Sequence, residues 1–241
     1  MALQPALRCE DLSVDIAGKR IVKSVSLSLE PGQWYGILGV NGSGKTTLLN
    51  CLCGRLPVAQ GRIWLNEEDV TLHPQRRAAQ WGFAPPLDSL PPELTPEVLV
   101  DLVAQSRQAE VPDDAALLEA LDYKALRSKP IGTMSAGQKQ KTTLMCAFIG
   151  APARIILDEP FNWLDPLAIY ALKAYLTQSA REGTLIVTAL HDVSSFMTRC
   201  DAGVLLAEGE TRRHFAASDF AKGRADLAGF EREVYESFRS T

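Results

Sequence analysis

The run Gly39-Val40-Asn41-Gly42-Ser43-Gly44-Lys45-Thr46 has the residue types needed to hold phosphate. It matches G-x-x-x-x-G-K-[ST] in full, and each type has a chemical reason. Glycines let the backbone turn its N–H groups inward around an anion. A helix opening at the end of the run adds the positive end of its dipole. Lys45 can reach the β- and γ-phosphates of a nucleoside triphosphate, the Thr46 hydroxyl can ligate Mg²⁺, and Thr47 is a further nucleotide-binding candidate. The bland alternative, a glycine-rich turn with an exposed lysine, fits poorly with a full match between a strand and a helix. A second element is the apolar run Ile155-Ile156-Leu157 ending in Asp158-Glu159. Asp158 is placed to hold Mg²⁺, directly or through water, and Glu159 to polarise an attacking water as general base.

These residues need a strand before the loop and a helix after it, and the surrounding pattern supplies both. Trp34–Leu38 reads as a buried strand, and a helix is expected from about Gly44 to Cys53, closed by Gly54. Residues 21–29 alternate apolar and polar as a half-buried strand does. Further strands are expected at 62–65, 81–84, 154–157, 184–187 and 203–206. From Leu94 to about Gly150 the pattern is helical, with Thr95 as N-cap and Pro96 at the first helical position. Helices are also expected at 166–181 and 192–198, and a polar helical tail at 220–239. Alternating strands and helices with apolar strands predict an α/β fold, its parallel sheet covered on both faces.

Composition excludes several function classes. Lys plus Arg is 25 and Asp plus Glu is 29, a formal net charge of −4, so the basic footprint of a nucleic-acid binder is missing. The longest apolar runs fall far short of the ~20 residues of a membrane span. The start, Met1-Ala2-Leu3-Gln4-Pro5, does not read as a secretory signal, so a cytoplasmic chain is expected. The five cysteines and three histidines show no zinc spacing, and reduced, buried thiols are expected.

Between the two phosphate elements stands Met134-Ser135-Ala136-Gly137-Gln138. It resembles the Leu-Ser-Gly-Gly-Gln signature of ATP-binding-cassette (ABC) proteins, the motor subunits of membrane transporters. Asn162-Trp163-Leu164-Asp165 is similar to that family's D-loop, and His191 to its switch histidine. The resemblance runs from about Leu12 to Glu210. It implies a P-loop, RecA-like core, an antiparallel β subdomain near the N-terminus and a helical subdomain at about 87–150. Residues from about 212 to 241 would form a C-terminal helical extension of one ATP-binding domain spanning 1–241. The resemblance also implies ATP and Mg²⁺ as cofactors, with Ser135 and Gly137 serving the nucleotide of a second cassette subunit in a homodimer. His191 would act beside Glu159, and integral membrane permease subunits would be partners on the cytoplasmic face of the membrane.

Three positions depart from the family pattern. The glutamine expected before the helical insert falls on Pro86, which offers no side-chain carbonyl to a metal. The aromatic residue expected under adenine falls near Ile16. Ala136 replaces a signature glycine, a small change at a helix start. The stretch 90–97 is more similar to exporter-type than to importer-type cassettes. Two other functions remain compatible: a cassette serving assembly or regulation without a permease, and a nucleotide-binding cassette of weak turnover.

Overall fold

The computed structural model describes residues 6–239; the start at 1–5, read above for a leader, and the last two residues lie outside it. In chain order the strands are β1 (Leu7–Ile16), β2 (Lys19–Leu29), β3 (Trp34–Leu38), β4 (Gln60–Leu65), β5 (Glu68–Asp69), β6 (Gly82–Phe83), β7 (Arg154–Asp158), β8 (Leu185–Leu190), β9 (Ala202–Ala207) and β10 (Glu210–Phe215). The helices are α1 (Lys45–Leu52), α2 (Pro74–Ala79), α3 (Pro96–Arg107), α4 (Ala115–Ala120), α5 (Tyr123–Leu126), α6 (Ala136–Ala147), α7 (Pro166–Arg181), α8 (Val193–Arg199), α9 (Ala217–Ala225) and α10 (Leu227–Arg239).

Six strands form the main sheet in the order β10-β9-β3-β8-β7-β6, parallel from β9 through β6, with β10 antiparallel at one edge. Its strands are apolar because both faces are covered. Along β3, β7 and β8 successive side chains point to opposite faces. Tyr35, Ile37, Ile156, Leu185 and Val187 pack with α1 and the N-terminal strands. Trp34, Leu38, Ile155, Leu157 and Ile186 pack with α6, α7 and α8 on the other face. The fold is thus the α/β architecture that the alternation predicts, with the P-loop core that the resemblance implies.

A second, antiparallel sheet, β2-β1-β4-β5, lies over the α1 side. Its strand β1 is absent from the sequence reading for a physical reason. Register shifts near Cys9, Leu12 and Val14, with Asp11 at φ 47°, break the two-residue alternation that would reveal it. Helices α3 to α6 occupy the stretch between β6 and β7. Several helix starts carry a side-chain acceptor: Thr95 on α3, Asp114 on α4, Ser135 on α6, Asp165 on α7 and Asp192 on α8.

Residues 212–215, expected to begin a helical extension, instead complete strand β10 against β9. Glu210, Arg212 and Arg213 hide that strand in the sequence, and its place at a sheet edge tolerates them. The following helices α9 and α10 pack inward through an aromatic cluster in which Phe196, Phe215, Phe220 and Phe230 meet at centroid distances of 5.0–6.3 Å. All five cysteines are free and buried, and burial pushes the Cys51 thiol up to about 12. No helix among the described residues is long and apolar enough to cross a membrane.

Candidate active site

The phosphate-binding run connects β3 to α1, so it emerges at the carboxyl end of a parallel strand. Ligands of open α/β sheets bind at that edge, where neighbouring strands lead to opposite faces. Two more chemistry-bearing segments leave the same edge: Asp158 and Glu159 at the end of β7, and His191 directly after β8. Sheet topology therefore gathers residues that are far apart in sequence.

The run wraps a cleft of about 620 Å³ lined by Ile21, Asn41, Gly42, Gly44, Lys45, Thr46, Thr47, Asp158 and Glu159. Gly44 sits at φ 101° as the residue preceding α1, a conformation that favours glycine. Lys45 is only 5% exposed, and its Nζ donates to the carbonyl oxygens of Gly39 (2.8 Å) and Val40 (3.2 Å). Ser43 is buried with an unpartnered Oγ, whereas Val40 points to solvent.

Across the cleft the Thr46 hydroxyl donates to Asp158 Oδ2 at 2.6 Å. Asp158 Oδ1 is buried and has no hydrogen-bond partner. Burial pushes the Asp158 carboxyl above its ordinary value, and the Thr46 hydrogen bond works against that shift. A buried carboxylate with an unsatisfied oxygen, beside a hydroxyl, is an oxygen donor set that suits a small hard cation such as Mg²⁺. Pro86 is not among the residues that line the cleft.

Glu159 faces three groups. Its Oε1 lies 3.5 Å from Lys45 Nζ, and its Oε2 lies 3.5 Å from His191 Nδ1. Asn162 Nδ2 donates to the same Oε2 at 2.6 Å. The backbone at Glu159 is left-handed, φ 47°, which turns the chain back so that the Asn162 amide N–H reaches the Glu159 carbonyl at 3.2 Å.

Ser135 and Gly137 are not brought to this cleft. They form the N-terminus of α6, where Ser135 and Gln138 make a reciprocal capping box. The Ser135 hydroxyl accepts in that box and keeps its own hydrogen to donate elsewhere. Gly137 lies against the carbonyl of Trp163, with no room for a side chain.

Two site features escape the sequence. Ile21 of β2 lines the cleft, a place that the alternating pattern of residues 21–29 does not single out. The Asn162 contact depends on the left-handed turn at Glu159, for which glutamate gives no signal.

This fold and cleft define a P-loop nucleoside triphosphatase. The family model described as ABC transporter matches residues 22–162. Over 231 residues the chain is 32% identical to the ABC-type transporter ATP-binding protein EcsA of Bacillus subtilis, covering 92% of each chain. It is 32% identical over 213 residues to the hemin import ATP-binding protein HmuV of Pseudomonas aeruginosa, covering 84% of each. A solved ATP-binding subunit of an ABC transporter superposes with a TM-score of 0.82 at 26% identity, covering 98% of this chain and 100% of that one. The chain belongs to the ABC transporter family as an ATP-binding subunit, and it is an ATPase.

Proposed function

We propose that this chain is the motor of a membrane transporter, acting on the cytoplasmic face against integral permease subunits. ATP would draw two copies together and hydrolysis would release them. The observation that supports this most directly is the division of the site. Lys45, Thr46, Asp158, Glu159 and His191 converge on one strand edge, while Ser135 and Gly137 stand outside that cleft and are left for a partner's nucleotide.

In this reading the N–H groups of residues 39–47 cradle the phosphates, and Lys45 turns its Nζ from the Gly39 and Val40 carbonyls to the β- and γ-phosphates. Thr46 and Asp158 would hold Mg²⁺, whose charge neutralises phosphate oxygens. Glu159 takes the proton of the attacking water, and His191, on the same carboxylate, orients that water or donates to the γ-phosphate. The 90–97 stretch supports export as the direction, whereas the relative HmuV is by name an import protein.

The test uses the tagged chain expressed in its own host. Pull-down from detergent-solubilised membranes should recover a protein with several membrane spans, and reconstitution with it in vesicles should raise ATP turnover and reveal the direction of transport. Lys45→Ala should abolish that turnover. Recovery from the soluble fraction alone, with no membrane protein attached, would replace the motor reading with that of a permease-free cassette.

A further inference from the structure

We propose that Asn162 is a positioning residue for hydrolysis: its side-chain amide holds the Glu159 carboxylate in the orientation that serves the phosphate cleft. The proposal rests on the reading of Glu159 as general base.

The geometry ranks the contacts of this carboxylate. Lys45 and His191 each stand 3.5 Å away, beyond the usual range of an N–H···O bond, whereas Asn162 Nδ2 lies at 2.6 Å. A carboxylate oxygen can only accept, so the amide must present its NH₂ group to Glu159. The terminal torsion of a glutamate is broad and roughly two-fold, so nothing intrinsic to Glu159 selects one plane for its oxygens. An external donor is needed, and Asn162 is the close one.

The surroundings show what Asn162 prevents. Glu159 separates two cavities: the phosphate cleft, and a neighbouring cavity of about 270 Å³ lined by Phe161, Asn162, Lys173, His191, Asp192 and Ser195 among others. Within the second cavity Lys173 donates to Ser195 Oγ at 2.6 Å and lies 4.8 Å over the Phe161 ring. Among the described residues no carboxylate lies within ion-pair distance of Lys173. A freed Glu159 could swing towards that cation or close onto Lys45, and either motion would withdraw it from an attacking water. Asp158 and Asp192, the other charges around the site, would repel it.

Asn162 is itself well founded. Its amide N–H bonds the Glu159 carbonyl, and the adjacent Pro160 carbonyl accepts from the buried Gln140 Nε2 at 3.2 Å. Three residues on, Asp165 caps α7 and pairs with Lys141 of α6 at 3.6 Å. The donor thus stands on a turn fastened to two helices, as a positioning group must.

The experiment measures steady-state turnover of the full chain and its variants at saturating Mg-ATP, with nucleotide affinity and thermal melting alongside. Asn162→Ala should lower kcat by tenfold to a hundredfold, the order expected for a misplaced reacting group, with KM for ATP within about twofold of the parent. Asn162→Asp keeps the shape and replaces the donor with a charged acceptor, and it should lose at least as much. On a Glu159→Gln background the Asn162→Ala loss should nearly vanish, because a residue acting through Glu159 has nothing left to position. Parental kcat in both Asn162 variants would overturn the proposal while leaving Glu159 as base. So would an equal loss on the two backgrounds, which marks a merely structural role. If Glu159→Gln itself retains turnover, the base reading fails and this proposal falls with it.

Discussion

Asp158 closes a strand buried on both faces, and its carboxylate inherits that burial. The shift above the ordinary 3.8 is caused first by burial, with Thr46 opposing it. An acid whose folded-state pKa lies above its unfolded value binds its proton more tightly in the folded chain. Its stabilising contribution is full below pH 3.8 and is lost as pH rises through the raised folded value. At neutral pH the ionised group therefore costs stability. Asp158→Asn removes the charge and keeps an acceptor for Thr46. Its Tm at pH 7.5 in metal-free buffer should exceed the parent's by ~2–4 °C for each kcal/mol relieved, and the gain should shrink towards pH 4. Calorimetry checks this, and an unchanged or lower Tm at pH 7.5 contradicts the account. The phosphate-loop residues and the Asp158-Glu159 pair were legible in sequence because their chemistry is written in short, fixed spacing. The contact between Asn162 and Glu159 was not, since it depends on a left-handed backbone at Glu159.

At the scale of elements, the turn at 159–165 and helix α6 behave as one unit. Gln140 holds the Pro160 carbonyl, Lys141 pairs with Asp165, and Gly137 lies directly beneath the Trp163 carbonyl. Gly137 thus has a packing reason to be glycine that is separate from any phosphate role. A methyl there meets backbone and not a yielding side chain, so the turn or the helix must move. Gly137→Ala should therefore destabilise the chain by ~1–3 kcal/mol, the usual cost of overpacking. Denaturant unfolding of the isolated chain measures it, and an unchanged midpoint would show that the turn shifts freely. Elements with a clear pattern, such as the amphipathic α7 and the continuous apolar runs of β7 and β8, are readable in the sequence. β1 is obscured by its bulges and β10 by its charges, so both emerge only from pairing with neighbours. Short helices such as α2 and α5 carry too few turns to establish a period.

At the scale of the whole molecule, the phosphate cleft and the start of α6 are, under the proposed motor function, two halves of a site that do not meet within one copy. Lys45, Thr46, Asp158 and Glu159 line the cleft, and the Ser135-Gly137 helix start lies outside it. Two copies related by a two-fold axis would place each α6 N-terminus over the other's cleft and complete two equivalent sites. Helix N-termini favour anions, so the γ-phosphate would bind both copies at once. The exposed Trp163, whose carbonyl lies against Gly137, adds apolar surface beside this helix start. Glu159→Gln should block proton removal while keeping size and the phosphate contacts, and so should accumulate as a dimer with Mg-ATP. The parent should return to monomer as ATP is consumed. Multi-angle light scattering of the variant, with and without Mg-ATP, reads the mass directly. Ser135→Arg added to Glu159→Gln should restore the monomer without weakening ATP binding, because the arginine would intrude only where the copies meet. A Glu159→Gln chain that stays monomeric at saturating ATP would mean that a different cassette, not a second copy, supplies the other half of the site.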